Sequence, residues 1–377
     1  MKILLFANTD WYLYNFRLPL AKYLREKGLE VILVSSDGPY GHYFEENGFR
    51  WIPIPMNRRS LNPWTEIKLL FYLTKLYIKE KPDLVHHFTI KCVVYGSLAA
   101  QFAGIKSRIN AITGLGHVFT TKTFRTKLLR PFVSYLLRFT LQGTQSRLIL
   151  QNPDDVHTIM QAHLALSKHI RLICGSGVDT KRFQPFFIPK KIPKIFKVLL
   201  ATRLLWEKGV GEYVEAARIL NHNQTVKFFL AGSPDPGNPA SVSLEQIMAW
   251  EREGIITVLG HLDNMELFLK QVDLAVLPSY REGVPRSLLE AAACGLPIVT
   301  TDAPGCREVV ANGINGLLVP CKDSTVLAEA IQYMMEHPQE RKRMGVASRN
   351  KVLAEFDQKI IFKKTFRVYK ELLPLME

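Results

Sequence analysis

Short runs rich in Ile, Val and Leu alternate with longer amphipathic stretches along the chain, and the alternation halts once near the middle before starting afresh. A strand that reads as an unbroken apolar run is buried on both faces, which a parallel sheet covered by helices on each side provides. Strands are expected at 2–8, 30–35, 50–54, 84–87, 107–113, 147–150 and 170–174, and again at 197–202, 226–231, 256–259, 274–277 and 297–301. Helices fill the gaps, among them 15–27, closed by Gly28, and 65–81, closed by Pro82, then 209–221 and 287–294. The halt falls at 183–196, where three prolines interrupt a stretch with neither helical nor strand period.

The fold class that follows is α/β, with two Rossmann-like doubly wound domains in tandem. The expected layout is an N-terminal domain at 1–182, a linker at 183–196, a second domain at 197–356, and a C-terminal helix at 357–377 that packs back toward the first domain. A chain of 377 residues exceeds what one hydrophobic core usually organises, which agrees. Ligands of such sheets bind beyond the carboxyl ends of the strands, so the cleft between the domains is the expected site.

The formal net charge of +15 calls for an acidic partner, whether nucleic acid, an anionic membrane or a phosphate-bearing substrate. Between Asp83 and Asp154 there is no acidic residue, while Lys91, Lys106, Arg108, Lys122, Arg125, Lys127, Arg130, Arg138 and Arg147 all fall inside. Within this stretch 122–141 reads as an amphipathic helix. Phe124, Leu128, Phe132, Tyr135, Leu136 and Phe139 share one side and Lys122, Lys127, Arg130 and Arg138 the other, with Arg125 on the wrong side and Pro131 able to split the segment. A core helix with its aromatic side on the sheet and an interfacial helix fit this pattern equally. The segment 67–81, with Phe71, Tyr72, Tyr77 and several lysines, is a second such surface, and two on one domain favour a membrane. No nucleic-acid reader motif accompanies the charge, so nucleic acid is not expected as a partner.

Five widely spaced cysteines without a CxxC pair point to a reducing cytoplasm and away from structural zinc. No run of eighteen apolar residues exists, and Met1 leads straight into a strand, so neither a membrane span nor a signal peptide is expected.

The chemistry concentrates in two places. At 278–290 the chain reads Pro-Ser-Tyr-Arg-Glu-Gly-Val-Pro-Arg-Ser-Leu-Leu-Glu, a strand end, loop and helix start. It sets Glu282 and Glu290 eight residues apart, with Gly283 permitting close backbone approach, beside a helix N-terminus able to take phosphate. Hydroxyls for the carboxylates and phosphate for the helix together describe a sugar nucleotide. Directly after the first strand of the second domain comes Arg203-Leu204-Leu205-Trp206-Glu207-Lys208-Gly209. Its guanidinium fork and ammonium suit a diphosphate whose charge grows as a sugar departs. Taken singly, an Arg-x4-Lys pair is more often a solvated helix start and Glu290 an exposed helix carboxylate. What argues for a site is their order along the chain, each at an expected strand end.

With Glu-Gly-Val-Pro, Leu-Leu-Glu-Ala and Cys-Gly-Leu-Pro-Ile-Val around the glutamate pair, this sequence resembles the family 4 retaining glycosyltransferases. The segment 175–185, Gly-Ser-Gly-Val-Asp to Phe-Gln-Pro, is similar to that family's approach to the interdomain crossing. The resemblance implies the GT-B architecture, a UDP-sugar donor, and no cofactor or metal. It implies Arg203, Lys208 and Glu282 as catalytic residues, with Glu282 on the donor sugar ring. Glu290 would hold the ribose hydroxyls, and Gly283, Val284 and Pro285 would complete the donor site.

The first loop, 8–20, lacks the paired glycines common in the family. Asn15-Phe16-Arg17, His86-His87 with Lys91, and Thr113-Gly114-Leu115-Gly116 instead resemble a subgroup of bacterial enzymes that extend a polyprenyl-diphosphate-linked sugar. That resemblance implies Asn15, Arg17, Lys91, Gly114, Gly116, His87 and His117 as acceptor-binding residues, Arg17 and Lys91 toward the diphosphate, with His86 ranked below the other two histidines. It implies transfer of a hexose or N-acetylhexosamine with retention, by a cytoplasmic enzyme peripheral on the anionic inner face of the plasma membrane. A UDP-sugar epimerase of the same architecture and a non-enzymatic binder of anionic ligands stand as alternatives.

Overall fold

The structure, a computed structural model, describes all residues except 59, 61, 115–123, 142, 186–194, 222–224 and 374–377, and all their side chains except those of 124–130 and 132. Its Cα framework divides into two compact units, Met1–Ser176 with Ile361–Glu377, and Gly177–Ile360.

The first unit is built on a seven-stranded sheet of β1 (Lys2–Phe6), β2 (Glu30–Ser36), β3 (Arg50–Ile54), β4 (Leu84–Phe88), β5 (Ser107–Ile112), β6 (Ser146–Leu150) and β7 (Ile170–Leu172), in the order β3-β2-β1-β4-β5-β6-β7. Every pairing is parallel. Alternate residues of the same strands feed two cores. Ile3, Leu5, Leu33, Leu84 and Phe88 pack with Leu18, Leu20 and Leu24 of α1 (Leu18–Glu26) and with Ile361, Phe362 and Tyr369 of the C-terminal helix (Gln358–Leu372). Leu4, Phe6, Ile32, Val34 and Val85 pack with Leu69, Leu73 and Tyr77 of α2 (Pro63–Glu80) and with Cys92 and Ala99 of α3 (Ile90–Phe102).

The helix expected at 15–27 forms differently. A helical turn over Asp10–Tyr12 widens into a π-helical turn over Leu13–Arg17, and α1 begins only at Leu18. Pro19 has no N–H to return to the carbonyl of Asn15 and its ring crowds that carbonyl, so a regular helix does not run through 15–19.

The second unit carries a six-stranded parallel sheet of β8 (Phe196–Ala201), β9 (Val226–Ala231), β10 (Ile256–Gly260), β11 (Leu274–Leu277), β12 (Ile298–Thr301) and β13 (Gly316–Val319), ordered β10-β9-β8-β11-β12-β13. The edge strand β13 is not among the strands expected from the sequence. Residues 177–185, split between the expected first domain and linker, pack with the second unit. Val178 exchanges backbone hydrogen bonds with Phe356 and Gln358, and Arg349 donates to the carbonyls of Thr180 and Phe183. The rest of the expected linker, except Ile195 and Phe196, lies outside the described residues.

Helix α4 (Phe124–Leu141) continues through Pro131. Of its described side chains Leu137 and Leu141 enter the core, while Tyr135 and Phe139 are 70% and 50% exposed, so these two aromatic rings turn away from the sheet. The other aromatic positions of the expected stripe, Phe124 and Phe132, fall outside the described side chains. In α2 the expected outer surface needs one correction, because Tyr77 is buried. The outward residues are Trp64, Ile67, Phe71, Tyr72 and Ile78, with Lys68, Lys75 and Lys79 among them.

His87, expected to bind the acceptor, is instead a closed node of the core. Its ring bonds the Tyr77 hydroxyl at 3.1 Å through Nε2 and the Asn110 Oδ1 at 2.8 Å through Nδ1. Gly96 is packed against it so closely that a Cβ there would stand 2.5 Å from the ring. Burial pulls its pKa down to about 4, the Asn110 bond opposing and the Arg108 charge adding. The unfolded chain therefore takes up a proton near pH 6.5 and the folded one only near 4. Stability is complete above 6.5 and falls as the pH drops through that window, by about 3 kcal/mol. Urea unfolding from pH 7 to pH 4 is expected to show this slope, and His87→Gln is expected to make it shallower by the His87 share, whatever its absolute stability.

Candidate donor site

In the second sheet β8 and β11 are neighbours, and the strand order reverses between them. The chain leaves these two strands in opposite directions, which opens a crevice at their carboxyl ends where ligands of open α/β sheets sit. The loops after β8, β11 and β12 meet there. Gly209 (φ 72) passes the Pro278 carbonyl where a Cβ would stand 2.1 Å from the oxygen, and Gly305 (φ 84) passes the carbonyls of Glu282 and Gly283, where it would stand 2.5 and 2.6 Å away. Backbone bonds close the contacts, Tyr280 N to the Glu207 carbonyl at 3.0 Å and Glu282 N to the Pro304 carbonyl at 2.9 Å.

That stitching delivers Lys208 to Glu282. The ammonium donates to the carboxylate at 2.6 Å, and both side chains are largely shielded from solvent. Arg203, on the same loop, is half exposed and donates from Nη1 to Asp235 at 3.1 Å. Asp235 is itself fixed, its N–H bonded to Ser241 Oγ and its carboxylate to Asn238. Neither Asp235 nor Gly305 stands out by spacing in the sequence, since each looks like loop punctuation.

The glutamate at the other end of the motif lies in α7 (Arg286–Ala293), which follows α5 (Val210–Leu220) and α6 (Met265–Leu269) in the chain. Arg286 donates to Glu290 at 2.9 Å, one turn away. Burial still holds the Glu290 carboxyl above its ordinary pKa, against the pull of Arg286. The group lines a small, mostly apolar hollow with Leu199, Ala201, Met265 of α6, Val276 and Ser287. Gly283 and Pro285 are buried and Val284 is half-buried at the mouth of α7, whose start has no side-chain cap. The positive end of a helix, the Lys208–Glu282 pair with Arg203 on the Lys208 loop, and the Arg286–Glu290 pair thus lie in the segments that follow β8 and β11, which is equipment for a ligand with both phosphate and hydroxyl groups.

Residues 2–152 match the family model described as glycosyl transferase 4-like, and residues 181–351 the model described as glycosyl transferases group 1. The chain is a family 4 glycosyltransferase. It is 29% identical to the Campylobacter jejuni N,N'-diacetylbacillosaminyl-diphospho-undecaprenol alpha-1,3-N-acetylgalactosaminyltransferase, over 98% of each chain. It is 26% identical to the Escherichia coli UDP-Gal:alpha-D-GlcNAc-diphosphoundecaprenol alpha-1,3-galactosyltransferase, over 78% of this chain and 76% of that one. Among solved structures, sucrose-phosphate synthase from Thermosynechococcus elongatus superposes with a TM-score of 0.81 at 19% identity over 100% of both chains. Anabaena HepE in complex with UDP gives 0.78 at 20%, over 99% of this chain and 100% of that one. The architecture is therefore GT-B, and the epimerase and non-catalytic alternatives are set aside.

In the first unit of this glycosyltransferase the expected acceptor residues separate. The Lys91 ammonium spends its three protons inside the molecule, on Glu66 at 2.6 Å and on the carbonyls of Asn57 and Ser60 at 2.7 and 3.0 Å. It is a strut that fixes the loop before α2, which corrects its reading as a diphosphate ligand. Asn15 donates its amide to the Trp11 carbonyl at 3.0 Å. Gly114 lies just past β5 with φ 154, and Gly116 and His117 lie outside the described residues. Arg17 is buried beside the β1–β4 boundary, where the order of the first sheet reverses.

Proposed function

We propose that this glycosyltransferase moves a hexose or N-acetylhexosamine from a UDP-sugar to a sugar carried on a polyprenyl diphosphate, with retention and without a metal, at the anionic inner face of the membrane. The observation that carries the donor half is the shielded Lys208–Glu282 pair, with Arg203 on the same loop, at the switch point of the second sheet. In this scheme the acceptor hydroxyl attacks the anomeric carbon from the face that the diphosphate leaves. The bond from that carbon to the diphosphate oxygen breaks, and the leaving oxygen takes the hydroxyl proton. Arg203 and Lys208 offset the growing negative charge, where fixed electrostatics contribute most. Glu282 and Glu290 are both engaged in ion pairs, which suits sugar and ribose contacts better than nucleophilic attack.

The acceptor half is supported by the names of the Campylobacter and Escherichia relatives, and the uridine by the HepE complex. The membrane is supported by α2. Trp64, Ile67, Phe71 and Ile78 stand outward with three lysines, and Lys75 lies 4.5 Å over the Phe71 ring. That is the pattern of a helix lying in an interface, and no helix among the described residues is long and apolar enough to cross one.

One experiment tests the whole reading. A panel of UDP-sugars is offered with a polyprenyl-diphosphate-sugar acceptor in phosphatidylglycerol or phosphatidylcholine vesicles, in EDTA, with product mass and anomeric configuration recorded. The expected result is a product heavier by one hexose or N-acetylhexosamine, of retained configuration, formed faster on the anionic vesicles. Hydrolysis or epimerisation without acceptor extension sinks the acceptor assignment, and activity that disappears in EDTA sinks the metal-free one.

A further inference from the structure

The donor chemistry leaves one buried cation unexplained. The Arg17 guanidinium is 7% exposed, yet no carboxylate among the described residues pairs with it. Its Nε and Nη2 donate to a single oxygen, the Tyr12 hydroxyl, at 3.3 and 2.7 Å. Its flat face lies 4.2 Å over the centre of the Phe88 ring and 5.4 Å from that of Tyr12. Nη1 has no acceptor among the described residues. A charge withdrawn from water without a counter-charge is costly, and aromatic faces recover only part of that cost.

The surroundings keep the charge unbalanced. His86 lies close to it, bonded through Nδ1 to the Tyr369 hydroxyl at 2.6 Å, and its buried Nε2 has no partner among the described residues. Burial first, and then the Arg17 charge, hold the His86 pKa well below its ordinary value, so the ring is neutral. The Tyr369 hydroxyl is also kept protonated by burial. Two neutral groups and two aromatic rings thus surround one cation, and nothing anionic among the described residues answers it. The position has meaning too. Arg17 ends the π-helical turn after β1, and Phe88 ends β4, the strand across the switch point of the first sheet. Thr89 follows with φ 73 and ψ 152, a backbone region nearly reserved for glycine, and α3 starts there without a side-chain cap. Its positive end adds to the same field.

We propose that Tyr12 is a positioning residue that aims Arg17, held as a cation without internal counter-charge, at a phosphate of the acceptor, and that the neutral His86–Tyr369 pair braces this receptor from behind. The proposal rests on the acceptor reading and deepens it, choosing Arg17 over Lys91 and adding three residues not assigned to the site. A phosphate at Arg17 could come from the acceptor or from the UDP donor, and the test separates them.

The experiment compares wild type, Tyr12→Phe, which removes the hydroxyl and keeps the ring, and Arg17→Met, which removes the charge and keeps most of the volume. Three quantities are measured: KM for a sugar acceptor with and without its diphosphate, the Kd of UDP, and the Kd of inorganic pyrophosphate in the absence of other substrates. Losing a hydrogen bond that orients a charged group is expected to raise KM for the diphosphate acceptor about tenfold in Tyr12→Phe, and losing the charge about a hundredfold in Arg17→Met. Pyrophosphate binding is expected to weaken in parallel, while UDP binding stays within about twofold of wild type. Equal losses on both acceptors, or loss of UDP binding in step, overturn the proposal, the second by assigning Arg17 to the donor. Pyrophosphate is read without turnover. A wild-type enzyme that binds it through Arg17 but extends no lipid acceptor therefore refutes the acceptor reading and not the receptor, whereas binding indifferent to Arg17 refutes the receptor. Circular dichroism and thermal unfolding establish that each variant is folded before its constants are compared.

Discussion

Lys208→Ala is expected to lower turnover by about 10³-fold while UDP still binds, since removing one fixed donor to a developing negative charge costs roughly that factor. The ammonium sits 2.6 Å from Glu282 with both side chains shielded, so the same substitution takes the cation from beside a shielded carboxylate. Breaking such a pair costs about 3 kcal/mol, and the second unit is expected to unfold at correspondingly lower urea. These effects separate in the double variant Lys208→Ala with Glu282→Gln. Neutralising the Glu282 carboxylate returns most of the stability, whereas turnover stays low because the Lys208 ammonium no longer faces the leaving diphosphate. UDP release under saturating substrates gives the rate, calorimetry the UDP affinity, and urea unfolding the stability. A loss below tenfold in a folded single variant would mean that the leaving group is stabilised by other groups.

Gly305→Ala carries the second large effect although the residue touches no ligand in the proposed scheme. A methyl there would stand 2.5 Å from the Glu282 carbonyl and 2.6 Å from that of Gly283, in a backbone at φ 84. The oxygens belong to the main chain of the donor loop, so relief requires the loop itself to move, and with it the carboxylate that Lys208 holds. Turnover is expected to fall by about 10²-fold, the scale on which an ångström of misplacement acts, with about 2 kcal/mol of lost stability. Gly313 is the matched control. It has a φ of 72, and a Cβ added there would meet nothing within 4 Å, so Gly313→Ala faces the same backbone strain without the collision. It is expected to lose about 1 kcal/mol and to keep its turnover. If both alanines reduce turnover equally, the placement of the Glu282 loop is not what limits the reaction.

The misplaced expectations share a cause. His87 and Lys91 flank the same strand end that places Phe88, and in one dimension they look as available as Arg17. What removes His87 is the cover laid over it by Tyr77 and Gly96, from two different helices, together with Asn110 of the adjacent strand. What removes Lys91 is Glu66, 25 residues earlier. Tyr77 shares a helix with Phe71, but its ring points to the sheet while Phe71 points to solvent.

By itself the sequence determined the two parallel sheets and the two local segments that carry Arg203 with Lys208 and Glu282 with Glu290. Those features depend on residues within a few positions of one another, where the two-residue period of a strand, the 3.6-residue period of a helix and the turn between them dictate the geometry. Tertiary structure alone decided how each polar group is held. Whether a side chain is sealed in the core, tied to several segments or placed at a strand end depends on contacts such as Glu66 to Lys91, Tyr369 to His86 and Gly305 to the Glu282 loop, across separations that local patterns do not encode.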